Sequence, residues 1–259
     1  MRYEHILVGA HDGLATVTLD RPARRNALSE ALLAELLAAV RALGDDPEIR
    51  AVVLAANGPV FSAGHDLREM LEHDLDGTRR VLAACTETMR ALQRLPVPVV
   101  ASVQGLATAA GCQLVASCDL AVAAEEAQFA TPGGKGGWFC TTPMVPLVRA
   151  VGPRRALEML LTGEPIDAAT ALAWGLVNRV VPRAELAVAT ETLARRASQG
   201  SPAAKALGKR AFWDTAHLDI DAAYAHAGDV MARSALTDDA REFMRAPLEK
   251  RPAVYSTRR

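Results

Sequence analysis

The stretch Val99-Val100-Ala101-Ser102-Val103-Gln104-Gly105-Leu106-Ala107-Thr108-Ala109-Ala110-Gly111-Cys112-Gln113 reads as a strand running through a small-residue turn into a helix. Val99–Val103 is apolar and β-branched, and Pro96 and Pro98 stop whatever helix precedes it. The small residues that follow let a backbone come close to a ligand, and the first amides of the next helix lack an intrahelical acceptor. A second junction of this kind, Phe61-Ser62-Ala63-Gly64-His65-Asp66-Leu67, lies just beyond the strand Val52–Ala55. Facing each other, two such junctions would offer two backbone donors to one oxygen. The pattern suits equally well ordinary strand-to-helix turns whose small residues serve packing alone.

Outward from these junctions the chain alternates strand and helix patterns. Ile6–Val8 and Leu14–Leu19 are β-rich and are separated by the turn signal His11-Asp12-Gly13. Ser29 can cap a helix with apolar residues at 32, 33, 36, 37 and 40, ended by Gly44, Asp45 and Asp46. Thr78–Leu95 is a second amphipathic helix, and Leu120–Ala124 a further buried strand. This rhythm predicts a mostly parallel sheet covered by helices, in an α/β fold with right-handed crossovers. Beyond Pro153 strand signals nearly vanish. Arg154–Leu161, Ala168–Trp174, Leu186–Ser198, Pro202–Trp213 and Ile220–Arg233 read as helices. No low-complexity linker divides the two parts.

Composition narrows the functional classes. The 259 residues suffice for one large domain with a real core, and 50% apolar with 23% charged residues is ordinary globular composition. A net charge of −1 argues against a nucleic-acid partner, which usually meets a basic surface. No run approaches the ~18 apolar residues of a membrane span. Cys85, Cys112, Cys118 and Cys140 form no CxxC pair or zinc pattern and read as buried reduced thiols. His65 and His73, eight residues apart, are a weak metal pattern at best, and no GxSxG elbow supports a Ser-His-Asp triad. Thr131-Pro132-Gly133-Gly134-Lys135-Gly136-Gly137-Trp138 is neither a P-loop nor a dinucleotide fingerprint; it reads as an irregular loop with a solvated lysine. Met1–Ala10, short and mixed with Glu4 and His5, has neither a secretory signal nor an Arg-rich presequence, so the expected compartment is the cytosol.

Taken in order, these segments resemble the crotonase, or enoyl-CoA hydratase/isomerase, superfamily over nearly the whole chain. The landmarks are Arg21-Pro22 with Asn26-Ala27-Leu28, Phe61–Met70, Gly105–Asp119, Ala127-Gln128-Phe129, Ala156–Met159, Leu161–Glu164, Trp174–Val177 and Glu249-Lys250-Arg251. The resemblance implies a spiral of ββα units over residues 1–195 and a helical oligomerisation region over 196–259 that forms trimers or dimers of trimers. It implies an acyl-CoA thioester as ligand, with coenzyme A part of the substrate and no other cofactor or metal. In that family two backbone amides stabilise a thioester enolate, and by position these are His65 N–H and Ala110 N–H, with the His65 imidazole outside the pattern. Ala63, Asp66, Leu67 and Gly111 fall at the CoA-facing edge, and Lys250 matches a lysine that reaches a CoA phosphate or adenine in a neighbouring subunit.

The sequence departs from the family at the proton-handling positions. Two glutamates serve hydratases, and their positions here are Gln113 and Gly133. An amide cannot take a proton at neutral pH, although Gln113 can hydrogen-bond a water or a thioester oxygen. Each acid/base group contributes ~10²–10⁴-fold, so efficient hydration is not expected. Ala110 replaces a usual glycine, with a cost if its φ is positive and none if it is helical. Trp138, Cys140, Thr141 and Thr142 join Gln113 and Lys135 as expected pocket residues. Thr141 lies near where some relatives place an aspartate, and Cys140 is a nucleophile only if a neighbour lowers its pKa. The segments from Ala107, from Phe129 and from Phe139 resemble the enoyl-CoA hydratase domain-containing protein 3 subgroup. Its eukaryotic members carry a mitochondrial presequence, so the expectation here is a bacterial cytosolic relative. Three classes of function follow. The first is an acyl-CoA lyase or isomerase of fatty acid metabolism, with isomerisation, thioester hydrolysis and decarboxylation all open to it. The second is a non-catalytic acyl-CoA-binding pseudoenzyme, and the third a scaffold that uses only its trimer surface.

Overall fold

A computed structural model describes residues 3–256. In chain order its strands are β1 (Ile6–His11), β2 (Leu14–Leu19), β3 (Ala51–Ala56), β4 (Val60–Ser62), β5 (Val99–Val103), β6 (Leu106–Thr108), β7 (Leu120–Ala124), β8 (Gln128–Ala130), β9 (Ile166–Asp167) and β10 (Arg179–Val181). Its helices are α1 (Glu30–Asp45), α2 (Leu67–Glu72), α3 (Leu75–Arg94), α4 (Ala110–Ala116), α5 (Gly133–Gly136), α6 (Met144–Val151), α7 (Pro153–Thr162), α8 (Ala168–Trp174), α9 (Leu186–Ser198), α10 (Pro202–Thr215), α11 (Ile220–Ser234) and α12 (Asp238–Leu248).

The strands form two sheets, in the orders β1-β2-β3-β5-β7-β10 and β4-β6-β8-β9. The hairpin β1/β2 and the pair β8/β9 are antiparallel, and every other pairing is parallel. The order is a repeat: β3–β4, β5–β6 and β7–β8 each send one strand to the large sheet and the next to the small one, then a helix. The single parallel sheet expected from the strand–helix rhythm is therefore two sheets. The second was missed because its strands are only two or three residues long and carry no periodicity.

The large sheet is covered on both faces, as a parallel sheet requires. β5 is buried along its whole length. In β3, Val52 and Leu54 face the main core beneath α1 and α3, while Ala51 and Val53 face a smaller cluster closed by Leu186 and Ala194 of α9. α9 thus lies against the sheet. α10 packs on α3, and α11 and α12 pack on α10. Ser29 caps α1 as expected, accepting from Leu32 N–H, and Leu32, Leu33, Leu36 and Val40 are buried beneath it. Among the described residues, no helix is long and apolar enough to cross a membrane.

Candidate functional site

The small sheet brings distant residues together. β4, β6 and β8 are parallel neighbours, and the chain leaves each carboxyl end through a short turn into α2, α4 or α5. Those turns hold His65, Ala110 and Gly133. Carboxyl ends of parallel strands are where open α/β sheets form ligand crevices.

Contacts between the turns are close. Gly64 has φ +87°, and a Cβ there would lie 3.0 Å from Ala109 Cβ and 3.1 Å from Ala110 N. A Cβ on Gly111 would stand 2.3 Å from Ser62 O, so only glycine lets α4 settle on the end of β4. Ala109 N–H donates to Ala130 O at 2.9 Å, tying the second turn to the third. Neither His65 N–H nor Ala110 N–H has an acceptor among the described residues. Ala110 is the first residue of α4, and the positive φ falls one residue earlier, at Ala109 (φ 51°, ψ −119°). The strain that an alanine at 110 could have carried is thus at its neighbour.

Behind the first turn lies a brace built from Arg21–Leu28. Asn26 is fully buried; its Oδ1 accepts from Arg21 N–H, and its Nδ2 donates to Asn57 O and Val60 O, both at 2.8 Å. Ser62 Oγ donates to Asn26 O, Ala63 N–H donates to Arg25 O, and Leu28 N–H donates to Gly64 O at 2.7 Å. Arg21 donates to Ala27 O and pairs with Asp66 at 3.5 Å. Asp66 also caps α2, accepting from Arg68 N–H, while Leu67 opens α2 with its side chain exposed.

The remaining expected pocket residues separate into two groups. Gln113, one turn into α4, is buried with Oε1 unpartnered, and it helps line a pocket of about 370 Å³ with Thr142 and the arginines 90, 94 and 149. Cys140 is buried as well, and burial pushes its thiol up, which disfavours a nucleophilic role. Its neighbour Cys112 is pushed up to about 12 by burial. By contrast Thr141 is exposed, and Lys135 points outward in an ion pair with Glu164. Lys250 sits in the turn after α12 with φ 51°. Gly133 cannot simply be a vacated glutamate position: a Cβ there would lie 1.9 Å from Trp138 O, because Trp138 N–H donates back to Gly133 O at 2.8 Å.

Two side chains gain importance that the sequence did not signal. Thr131 is fully buried at the end of β8 with its hydroxyl unpartnered. The His65 imidazole has both ring nitrogens buried and without a hydrogen-bond partner, and its ring centroid is 6.2 Å from that of Trp138. Burial lowers its pKa, and the nearby Leu28 carbonyl offsets part of that shift. His73 instead meets Glu30 at 3.3 Å, and no cluster of three His, Cys, Asp or Glu side chains occurs among the described residues.

Comparison with known proteins gives this arrangement a family. Residues 9–258 match the model of the enoyl-CoA hydratase/isomerase family. This chain belongs to that family. The mouse enoyl-CoA hydratase domain-containing protein 3, mitochondrial, is 43% identical over 95% of this chain and 82% of its own length. The crystal structure of the human enoyl-CoA hydratase domain-containing protein 3 matches with TM-score 0.92 at 42% identity, covering 97% of this chain and 100% of that one. An enoyl-CoA hydratase structure from Mycobacterium smegmatis matches with TM-score 0.93 at 47% identity, over 97% of this chain and 98% of the other. The crotonase-like α/β fold and the subgroup likeness are therefore established. The expectation of a bacterial cytosolic protein is overturned: vertebrate relatives at 43–45% identity are named as mitochondrial proteins. Composition of the first ten residues was too narrow a basis for a compartment.

Proposed function

We propose that this family member binds an acyl-CoA thioester with its carbonyl oxygen between His65 N–H and Ala110 N–H and stabilises the enolate. The observation that carries this reading is the pair of unpartnered amides on adjacent turns, with Gly64 held against Ala110 N. An oxyanion donor of that kind is worth ~10²–10³-fold in rate. Ala63, Asp66, Leu67 and Gly111 frame the CoA-facing edge, Gln113, Trp138 and Cys140 the acyl side, and no further cofactor or metal takes part.

Hydration is not the reaction that this site serves best. Gln113 brings no carboxylate, Gly133 has no room for one, and Thr141 is exposed and a poor base. We favour isomerisation, which runs through the enolate alone, over thioester hydrolysis, which needs a water to attack the carbonyl. The same missing carboxylates favour, as second reading, an acyl-CoA-binding protein without turnover. Tyr224, Met231 and Phe243 stand exposed on α11 and α12, as a surface awaiting a partner does, and they support a trimer or a dimer of trimers. In such an assembly Lys250 would reach the CoA of a neighbouring subunit.

Crotonyl-CoA hydration, followed by loss of the conjugated thioester absorbance, tests the reading. The expected rate lies at least ~10²-fold below the ~10 s⁻¹ typical of enzymes. Turnover near ~10 s⁻¹ would show that another group replaces the carboxylates.

A further inference from the structure

The His65 imidazole is an anomaly in this pocket. Both ring nitrogens are buried and neither makes a hydrogen bond of good geometry among the described residues; the one acceptor that acts on the ring is the Leu28 carbonyl, too poorly placed to anchor it. Buried polar atoms are almost always satisfied, and a buried histidine normally anchors at least one nitrogen. Its centroid lies 6.2 Å from the ring of half-exposed Trp138, and the two rings are inclined by 38°. It is carried by the residue whose backbone N–H, on the reading above, meets the thioester oxygen. The α-carbon of a bound thioester is two bonds from that oxygen, within the span from a histidine's backbone to its ring.

Among the described residues, the other titratable side chains near the turns are engaged or held neutral, Glu69 by accepting from Glu30 N–H. Asp66 caps α2 and pairs with Arg21. Lys135 is paired with Glu164 on the outer side, and His73 meets Glu30 beyond the end of α2. The thiols of Cys112 and Cys140 are held in their neutral form by burial. Gln113 does not titrate, and the Thr131 hydroxyl is a poor base.

Resting on the acyl-CoA reading, we propose that the His65 imidazole is the proton carrier of this site. A neutral ring nitrogen takes a proton from the α-carbon; the C–H electron pair moves into the thioester, and the enolate is held by the two amides. For a β,γ-unsaturated acyl group the imidazolium returns the same proton to the γ-carbon, and the double bond moves into conjugation. One Cα–H bond breaks, one Cγ–H bond forms, and no co-reactant is needed. A single base suffices for this reaction, whereas hydration must also deprotonate a water. Burial keeps the free imidazole neutral at pH 7, the form the step requires.

Exchange of the α-protons of butyryl-CoA in D₂O, read by NMR, tests the proposal, with binding of butyryl-CoA measured separately by calorimetry. The wild-type protein is expected to bind and exchange. His65→Gln keeps the backbone amide and should bind within about threefold, yet lose exchange by ~10²–10⁴-fold. The wild-type exchange rate should fall with acidity only below pH ~6.5, as the ring takes up a proton. Exchange retained by His65→Gln, absent from the wild type, or flat with pH through that range would overturn the role of His65 and leave the binding site standing. Failure of the wild-type protein to bind butyryl-CoA would overturn the acyl-CoA reading itself. Should His65→Gln not fold, the pH profile of the wild-type protein still decides.

Discussion

Ala109 shows how much the orientation of one peptide matters at this site. Its φ of 51° with ψ −119° belongs to a region that side chains other than glycine rarely enter, at a cost of ~1–3 kcal/mol. That conformation sits immediately before α4, which begins at Ala110 with an N–H that has no acceptor among the described residues. Ala109→Gly should therefore stabilise the protein. The relieved strain exceeds the ~0.5–1 kcal/mol of extra chain entropy that glycine loses, leaving about 1 kcal/mol, or ~2–4 °C in Tm for a chain of this size. Thermal unfolding at one protein concentration checks this, and an unchanged or lower Tm would place the strain elsewhere. The sequence pointed to Ala110 as the alanine that could carry strain, whereas the bend falls at Ala109, because a run of small residues does not say where a helix starts. At Gly133 the limit was different. The sequence showed a missing carboxylate, whereas only the backbone shows that Trp138 O occupies the space where its Cβ would be.

At the scale of elements, the long apolar segments were legible and the site-bearing ones were not. β2, β5, β7, α8 and α9 fall where periodicity and punctuation place them. β4, β6 and β8 are three-residue strands that exist because neighbours in the small sheet bond them, information absent from any local window. Family resemblance, not pattern, named His65 and Ala110, and neither source pointed to the imidazole. The brace on the first turn is equally nonlocal. Asn26 satisfies three backbone groups, one in its own loop and two at the β3–β4 turn, and holds φ 50°, which asparagine tolerates better than alanine does. Asn26→Ala removes these bonds and leaves buried groups unpaired, each worth ~1 kcal/mol, so a loss of about 3 kcal/mol is expected in urea unfolding. A loss under ~1 kcal/mol would mean that Arg21, Ser62 and Leu28 hold the turn without it.

At the scale of the molecule, a largely buried ion pair helps to tie α10 to the sheet beside its packing on α3. Lys209 of α10 meets Asp119 at 2.6 Å and donates to Leu92 O and Val97 O. Asp119 in turn accepts from Val99 N–H and from Trp213 Nε1–H. Burial raises the pKa of Asp119 and lowers that of Lys209, and the charge of each opposes the shift of the other. Removing only the cation leaves a buried carboxylate uncompensated, so Lys209→Met should cost ~3–5 kcal/mol. Adding Asp119→Asn removes the stranded charge and keeps one acceptor oxygen, for Val99 N–H or Trp213 Nε1–H but not both. Losing one hydrogen bond costs about 1 kcal/mol, less than a stranded buried carboxylate, so the double variant should be more stable than Lys209→Met alone. The pH dependence has a definite sign. Without Lys209 the carboxyl pKa in the folded state rises further above the ~3.9 of the unfolded chain, so the folded state binds a proton that the unfolded chain still releases. The deficit of Lys209→Met is therefore full at neutral pH and shrinks as pH falls through that raised value. Urea unfolding of wild type, single and double variants at pH 7 and pH 5, at one protein concentration, measures all three effects. A deficit that grows on acidification would show that Asp119 is not the group left stranded, and that α10 is held by its packing on α3 instead.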